Sequence, residues 1–149
     1  MARKRNNLGI PELTKFDNEL EAVYDSLEAR SREQTEVKLS RSERAVVDVC
    51  GVIGFIEGDG LHSFWYNDLD QVRIIESFRM VGAFQVADAL EGSSWAKRVC
   101  ERGTDKNGHL LFTEEEETKL DEFEERIYDG FQDAADRALH YIHQNGIRC

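Results

Sequence analysis

At 149 residues the chain has the size of one domain, and a domain that long buries roughly 68–70% of its unfolded surface, so its core needs no disulfide or metal. Thirty acidic residues against nineteen basic ones give a net charge of −11 and a pI near 4.8, which disfavours direct contact with DNA, RNA or anionic lipid and favours basic proteins. The three cysteines, Cys50, Cys100 and Cys149, are too far apart for a disulfide framework or a zinc site and read as reduced thiols of a cytoplasmic protein.

The chain opens on Met1-Ala2-Arg3-Lys4-Arg5, a basic start without the apolar segment of a secretory signal. Residues 1–9 are expected to form a disordered basic tail. No run of about 18 apolar residues is present to span a membrane.

Residues 11–36 read as the first helix. Pro11 suits its first turn, and Leu13, Phe16, Leu20, Val23 and Leu27 form one apolar stripe at steps of three and four. Asp17, Glu21, Asp25 and Glu28 run beside that stripe.

Ser40 and Glu43 have the spacing of a capping box and open a nearly continuous apolar stretch from Ala45 to Ile56. Its six β-branched residues also suit a strand, but length and the cap favour a buried central helix of about 41–57. Gly51 and Gly54 are expected where a neighbouring helix packs closely. Gly58-Asp59-Gly60 breaks the pattern, and the aromatic run Phe64-Trp65-Tyr66 follows.

Asn67 is expected to cap a helix over about 68–80 with Leu69, Val72, Ile75 or Ile74, and Phe78 facing inward. Gly82 punctuates, and helices over about 83–91 and 94–101 follow. Residues 103–109 read as a polar loop. Thr113 with Glu116 repeats the capping box and starts a helix to about 144, with the stripe Leu120, Phe123, Ile127, Phe131, Ala134, Ala138 and Ile142.

The segment Glu57-Gly58-Asp59-Gly60-Leu61-His62-Ser63-Phe64-Trp65-Tyr66-Asn67, with Gly82-Ala83 fifteen residues later, resembles the DNA-mimic-protein-like family, a bacterial group. In that family a glycine turn leads into an aromatic stretch closed by an asparagine. Gly60, Phe64, Trp65, Asn67, Gly82 and Ala83 match, whereas Leu61 and Ser63 stand where the family usually has Phe and Gln, and Asp59 separates the glycines. The resemblance covers about residues 43–95. It implies a small all-α fold and, for some members, an acidic surface that imitates the phosphates of duplex DNA. The matched residues, with Glu57, belong to the structural part of the motif.

The last helix is the richest in charge. Over residues 113–144, eleven carboxylates face only Lys119, Arg126 and Arg137, a net of −8. Glu114 to Glu117 fall in the first turn, where the helix dipole favours them. That reason does not extend to Asp121, Glu125, Asp129, Asp133 and Asp136, and like charges at i,i+4 cost a few tenths of a kcal/mol per pair. Such a helix is about 48 Å long, or one net charge per roughly 6 Å, against one per roughly 1.7 Å for duplex DNA. Imitation of a duplex therefore predicts a second acidic helix alongside, and Asp17, Glu21, Asp25 and Glu28 are its candidates. A merely solubilising face is the alternative.

Other constellations carry weaker signals. Asp136, His140 and His143 have spacing for a metal, or are exposed histidines at a favourable helix end. Asp59, Asp68 and Asp70 lack the ending glutamate of a calcium loop. Glu57 is either a half-buried general acid or a carboxylate that caps backbone N–H groups. Of Phe64, Trp65 and Tyr66, at least two rings belong in the core rather than to a base-stacking platform, since such platforms come with basic grooves.

These readings combine into an all-α single domain of about five or six helices around the 41–57 helix, with the first and last helices outside. Its expected work is binding a basic protein, as a DNA mimic on a DNA-binding protein, through Glu114, Glu117, Asp121, Glu125, Asp129, Asp133 and Asp136 with the first-helix set. The alternatives are an immunity-type inhibitor of a basic nuclease toxin, and an enzyme or metal protein built on Glu57 or Asp136/His140/His143. No cofactor is expected, and a monomer and a homodimer are both compatible.

Overall fold

The computed structural model describes residues 12–33 and 38–148. Pro11, residues 34–36 of the expected first helix, the basic tail and Cys149 lie outside the described residues. Among the described residues there are seven helices: α1 (Asn18–Arg32), α2 (Arg41–Asp59), α3 (Leu61–Tyr66), α4 (Gln71–Met80), α5 (Phe84–Gly92), α6 (Trp95–Cys100) and α7 (Glu114–Asn145). Among the described residues there is no strand, only an isolated bridge between Thr104 and Leu110 at the neck of the polar loop.

The short helix that apolar spacing does not announce is α3, the aromatic run itself. Gly60, at φ +87°, lets the chain leave α2 and re-enter a helix at once, where a side chain would be strained. Asn67 is therefore the C-cap of α3 rather than the start of the next helix, and its Nδ2 donates to the Ser63 carbonyl at 2.8 Å. Asp70 caps α4 instead, accepting from Arg73 N.

That shift of start also rotates α4. Gln71, Ile74 and Phe78 face inward, while Val72 is 83% exposed. The polar Gln71 hides this stripe in the sequence. Its amide is buried because Nε2 donates to the carbonyls of Phe64 at 3.1 Å and Asn67 at 3.2 Å.

The first helix begins later than the apolar spacing predicts. Residues 12–17 are not helical, Asp17 caps α1 by accepting from Glu19 N, and Leu13 is 65% exposed. Leu20, Val23 and Leu27 are buried as expected.

The central helix is α2, packed by α1, α3, α4 and α7. Its capping box is formed, with Ser40 N donating to Glu43 at 2.9 Å and Glu43 N donating to Ser40 Oγ at 3.1 Å. Ala45, Val46, Val49, Ile53 and Ile56 are buried, so tertiary burial outweighs the strand preference of its β-branched residues. Gly51 does meet a neighbour, with the Tyr24 hydroxyl 3.4 Å from where a Cβ would stand; Gly54 meets nothing within 4 Å. The buried Asp48 is held by Arg73 at 2.9 and 3.0 Å and by the Ser77 hydroxyl at 2.6 Å, a tie between α2 and α4 that apolar periodicity does not disclose.

The last helix lies along α5 and α2. Glycines allow α5 and α7 to approach closely from both sides. A Cβ on Gly92 of α5 would stand 2.8 Å from the Phe123 ring of α7, and one on Gly130 of α7 would stand 2.7 Å from Val86 Cγ2 of α5.

Two predictions follow from this packing. Gly54→Ala is expected to raise stability by about 1 kcal/mol through helix propensity. Gly130→Ala is expected to lower it by about 1 kcal/mol or more, because overpacking against the stiff, buried Val86 outweighs the same gain. Urea unfolding distinguishes the two signs. Burial also pushes the Cys50 thiol from its ordinary 9.0 up to about 12. The unfolded thiol ionises first as pH rises, so this contribution is complete below about pH 9 and falls away towards about pH 12. Cys50→Ala should remove that part of the alkaline slope in urea unfolding across the window.

Candidate partner-binding surface

The exposed face of α7 is built by its own periodicity. Leu120, Ile127, Phe131, Ala134, Ala138 and Ile142 are buried, which turns most of the carboxylates outward. Glu117, Asp121, Glu125, Asp129 and Asp133 are spaced strictly by four. Each step advances about 6 Å along the axis and about 40° around it, so the five form a ridge winding obliquely across the outer face. Among the described residues Glu114, Glu117, Asp121 and Glu125 have no ion-pair partner. Asp129 is half-buried. Asp133 is paired with Arg137 at 2.7 Å, and Asp136 accepts from Gln132 at 3.3 Å.

Two further acids of the helix, Glu116 and Glu124, have structural work. The Thr113–Glu116 capping box is formed, and Arg102 holds Glu116 with contacts of 2.8 and 3.1 Å. That guanidinium, followed by the Thr113 amide, keeps the Glu116 carboxyl below the usual range. Glu124 turns inward and accepts from Leu61 N at 2.9 Å, capping α3.

The acids of α1 divide by their contacts. Glu19 of α1 is in contact with His143 of α7 at 2.7 Å. Helical periodicity puts Glu21, Asp25 and Glu28 about 120–180° around α1 from Glu19. Asp17 is occupied as the N-cap. Glu28 pairs with Arg32 at 3.6 Å and, with burial as the larger cause, raises the Tyr24 phenol well above its ordinary range. The amphipathic pattern showed that these acids are exposed; it could not show which flank of α1 faces α7.

Glu57 reaches the segment before α1 rather than its own turn. Its carboxylate accepts from Thr14 N at 2.9 Å and Thr14 Oγ1 at 3.1 Å, anchoring the 12–17 segment. Gln132 of α7 holds the same segment through the backbone of Lys15 at 2.9 and 3.0 Å. His143 is engaged with Glu19 rather than with Asp136 and His140, and among the described residues no three His, Cys, Asp or Glu side chains cluster for a metal ion. Asp70, from the candidate calcium set, is the α4 cap.

The aromatic motif is divided by α3. Phe64 and Trp65 are buried edge to face at 5.0 Å, with Trp65 Nε1 donating to Ser93 Oγ at 3.0 Å. Tyr66 is 56% exposed. It borders a groove of about 570 Å³ between α3, the polar loop and the first turns of α7. Nothing local in the sequence announces this groove, because its walls come from three separate segments. Gly82, at φ +88°, and the buried Ala83 make the turn into α5.

These features define a class: an all-α protein with a charged ridge on its long C-terminal helix. The chain belongs to the DMP19-like protein family, which matches residues 37–145. The match takes in α2 through α7 and leaves out α1, so the ridge lies inside the family segment. No curated protein matches the chain, and neither does a solved structure. Among the described residues no helix is long and apolar enough to cross a membrane.

Replacing Glu57 by Ala should release residues 12–17. Amide exchange at Thr14 is expected to rise at least about tenfold, with a loss of about 1–2 kcal/mol in stability, as for a lost hydrogen bond to a charged group.

Proposed function

We propose that this protein is an acidic binding module whose α7 ridge occupies the basic site of a DNA-binding protein, as a DNA mimic does. The observation that carries this reading is the i,i+4 line of Glu117, Asp121 and Glu125, exposed and without an ion-pair partner among the described residues. Membership of the DMP19-like family, not known as an enzyme family, supports it.

The ridge places one carboxylate per roughly 6 Å of axis, against one phosphate per roughly 3.4 Å in a single DNA strand. It therefore offers about half the linear charge of one strand, enough to steer a basic site and too little to copy a whole duplex. Steering of this kind accelerates encounter and fades with salt, as the Debye length shrinks from about 8 Å at physiological ionic strength to about 3 Å at 1 M. Carboxylates that approach basic side chains directly add charge-assisted hydrogen bonds. The buried free thiols Cys50 and Cys100 fit a reducing cytoplasm.

The test is capture and competition. The immobilised chain is expected to retain a DNA-binding protein from extract at low salt, to release it near 1 M salt, and to release it on addition of duplex DNA. A Glu117→Gln, Asp121→Asn, Glu125→Gln variant should weaken retention at least about tenfold. Retention that duplex DNA fails to reverse rejects mimicry. A captured nuclease that the chain inhibits would replace the DNA-binding protein by a toxin as target.

A further inference from the structure

We infer that the groove at the head of the ridge is a socket for an arginine side chain of the basic partner. This rests on the proposed function and names a specific point of recognition within it. The groove of about 570 Å³ opens where α3, the polar loop and α7 meet. Its walls differ in chemistry. On one side stand Glu117 and Asp121, four residues apart on α7 and without an ion-pair partner among the described residues. The buried Leu120 lies between them in the helix surface. The other walls carry the Tyr66 ring, Leu110 and Phe112.

That combination selects the guanidinium among common cations. Two carboxylates at i,i+4 separation, with Cβ atoms about 6 Å apart, present several acceptors to the five donors of a planar fork. An aromatic ring gives its flat face a cation–π surface, and the apolar wall covers the methylene stem. A lysine ammonium satisfies the acceptors only as a compact, strongly hydrated point charge. Charge complementarity identifies the source as the same basic protein that the ridge attracts, and an arginine in a concave, partly apolar site is a frequent anchor of protein interfaces. Tyr66 is thus left exposed by α3 at the point where a partner residue would cover it.

The test uses the full chain, labelled for NMR, titrated at physiological salt with a short peptide containing one central arginine. Its counterpart carries neutral citrulline, an isostere, at that position. The arginine peptide is expected to shift the amides around Tyr66, Leu110, Glu117 and Asp121, with the citrulline peptide at least about tenfold weaker. The Glu117→Gln, Asp121→Asn double variant, altered only at exposed side chains, should lose the same tenfold. Tyr66→Ala should weaken binding several-fold and Tyr66→Phe should restore it. Glu76→Gln, an exposed change on α4, should leave it unaltered.

Equal binding of the citrulline peptide overturns the socket. So do shifts spread evenly along α7, or equal binding by the double variant. Failure here with DNA-reversible capture intact removes the socket and leaves the ridge. Success here with capture that DNA does not reverse keeps the socket and removes mimicry.

Discussion

The structure depends on the burial of one face of α7. Four like-charged steps along Glu117, Asp121, Glu125, Asp129 and Asp133 cost about 1–2 kcal/mol together. Against this, full burial of a large apolar side chain contributes about 1.5–3 kcal/mol, and Leu120, Ile127, Phe131 and Ile142 are all buried. The apolar side wins by a factor of several. A helix that would be weak in isolation is therefore held by its neighbours, and its charges are displayed because its other face cannot leave the core.

Much of this was legible in the residues. Both capping boxes, the apolar α2 and the stripe of α7 are local patterns, and local patterns survive folding when tertiary packing agrees with them. The sites where reading failed share a cause. Val72 and Leu13 are apolar residues that fit a helical step but lie outside the helix face or the helix itself. The deciding groups were polar: Gln71 bonding to α3, Thr14 bonding to Glu57, Asp17 capping α1. Apolar periodicity carries no information about such partners.

The surface shows the same division. The exposure of the α7 acids follows from their phase against the apolar stripe, so the ridge could be read from sequence. The orientation of α1 about its own axis depends on Tyr24 meeting Gly51 and on Glu19 meeting His143, contacts between residues 27 and 124 positions apart in the chain. The groove is more distant still, since α3, the polar loop and α7 each supply one wall. Long-range juxtaposition, rather than composition, separates a general acidic character from a surface of defined shape.

The reciprocal glycines between α5 and α7 bear on how that surface behaves. Phe123 seats over Gly92 while Val86 seats over Gly130, so each helix carries both a knob and a socket for the other. Rolling or sliding α7 by even a fraction of a turn would drive both knobs into backbone. The carboxylates consequently form a template of fixed pitch and phase. Any partner that meets this face would find the backbone beneath its carboxylates already set in place.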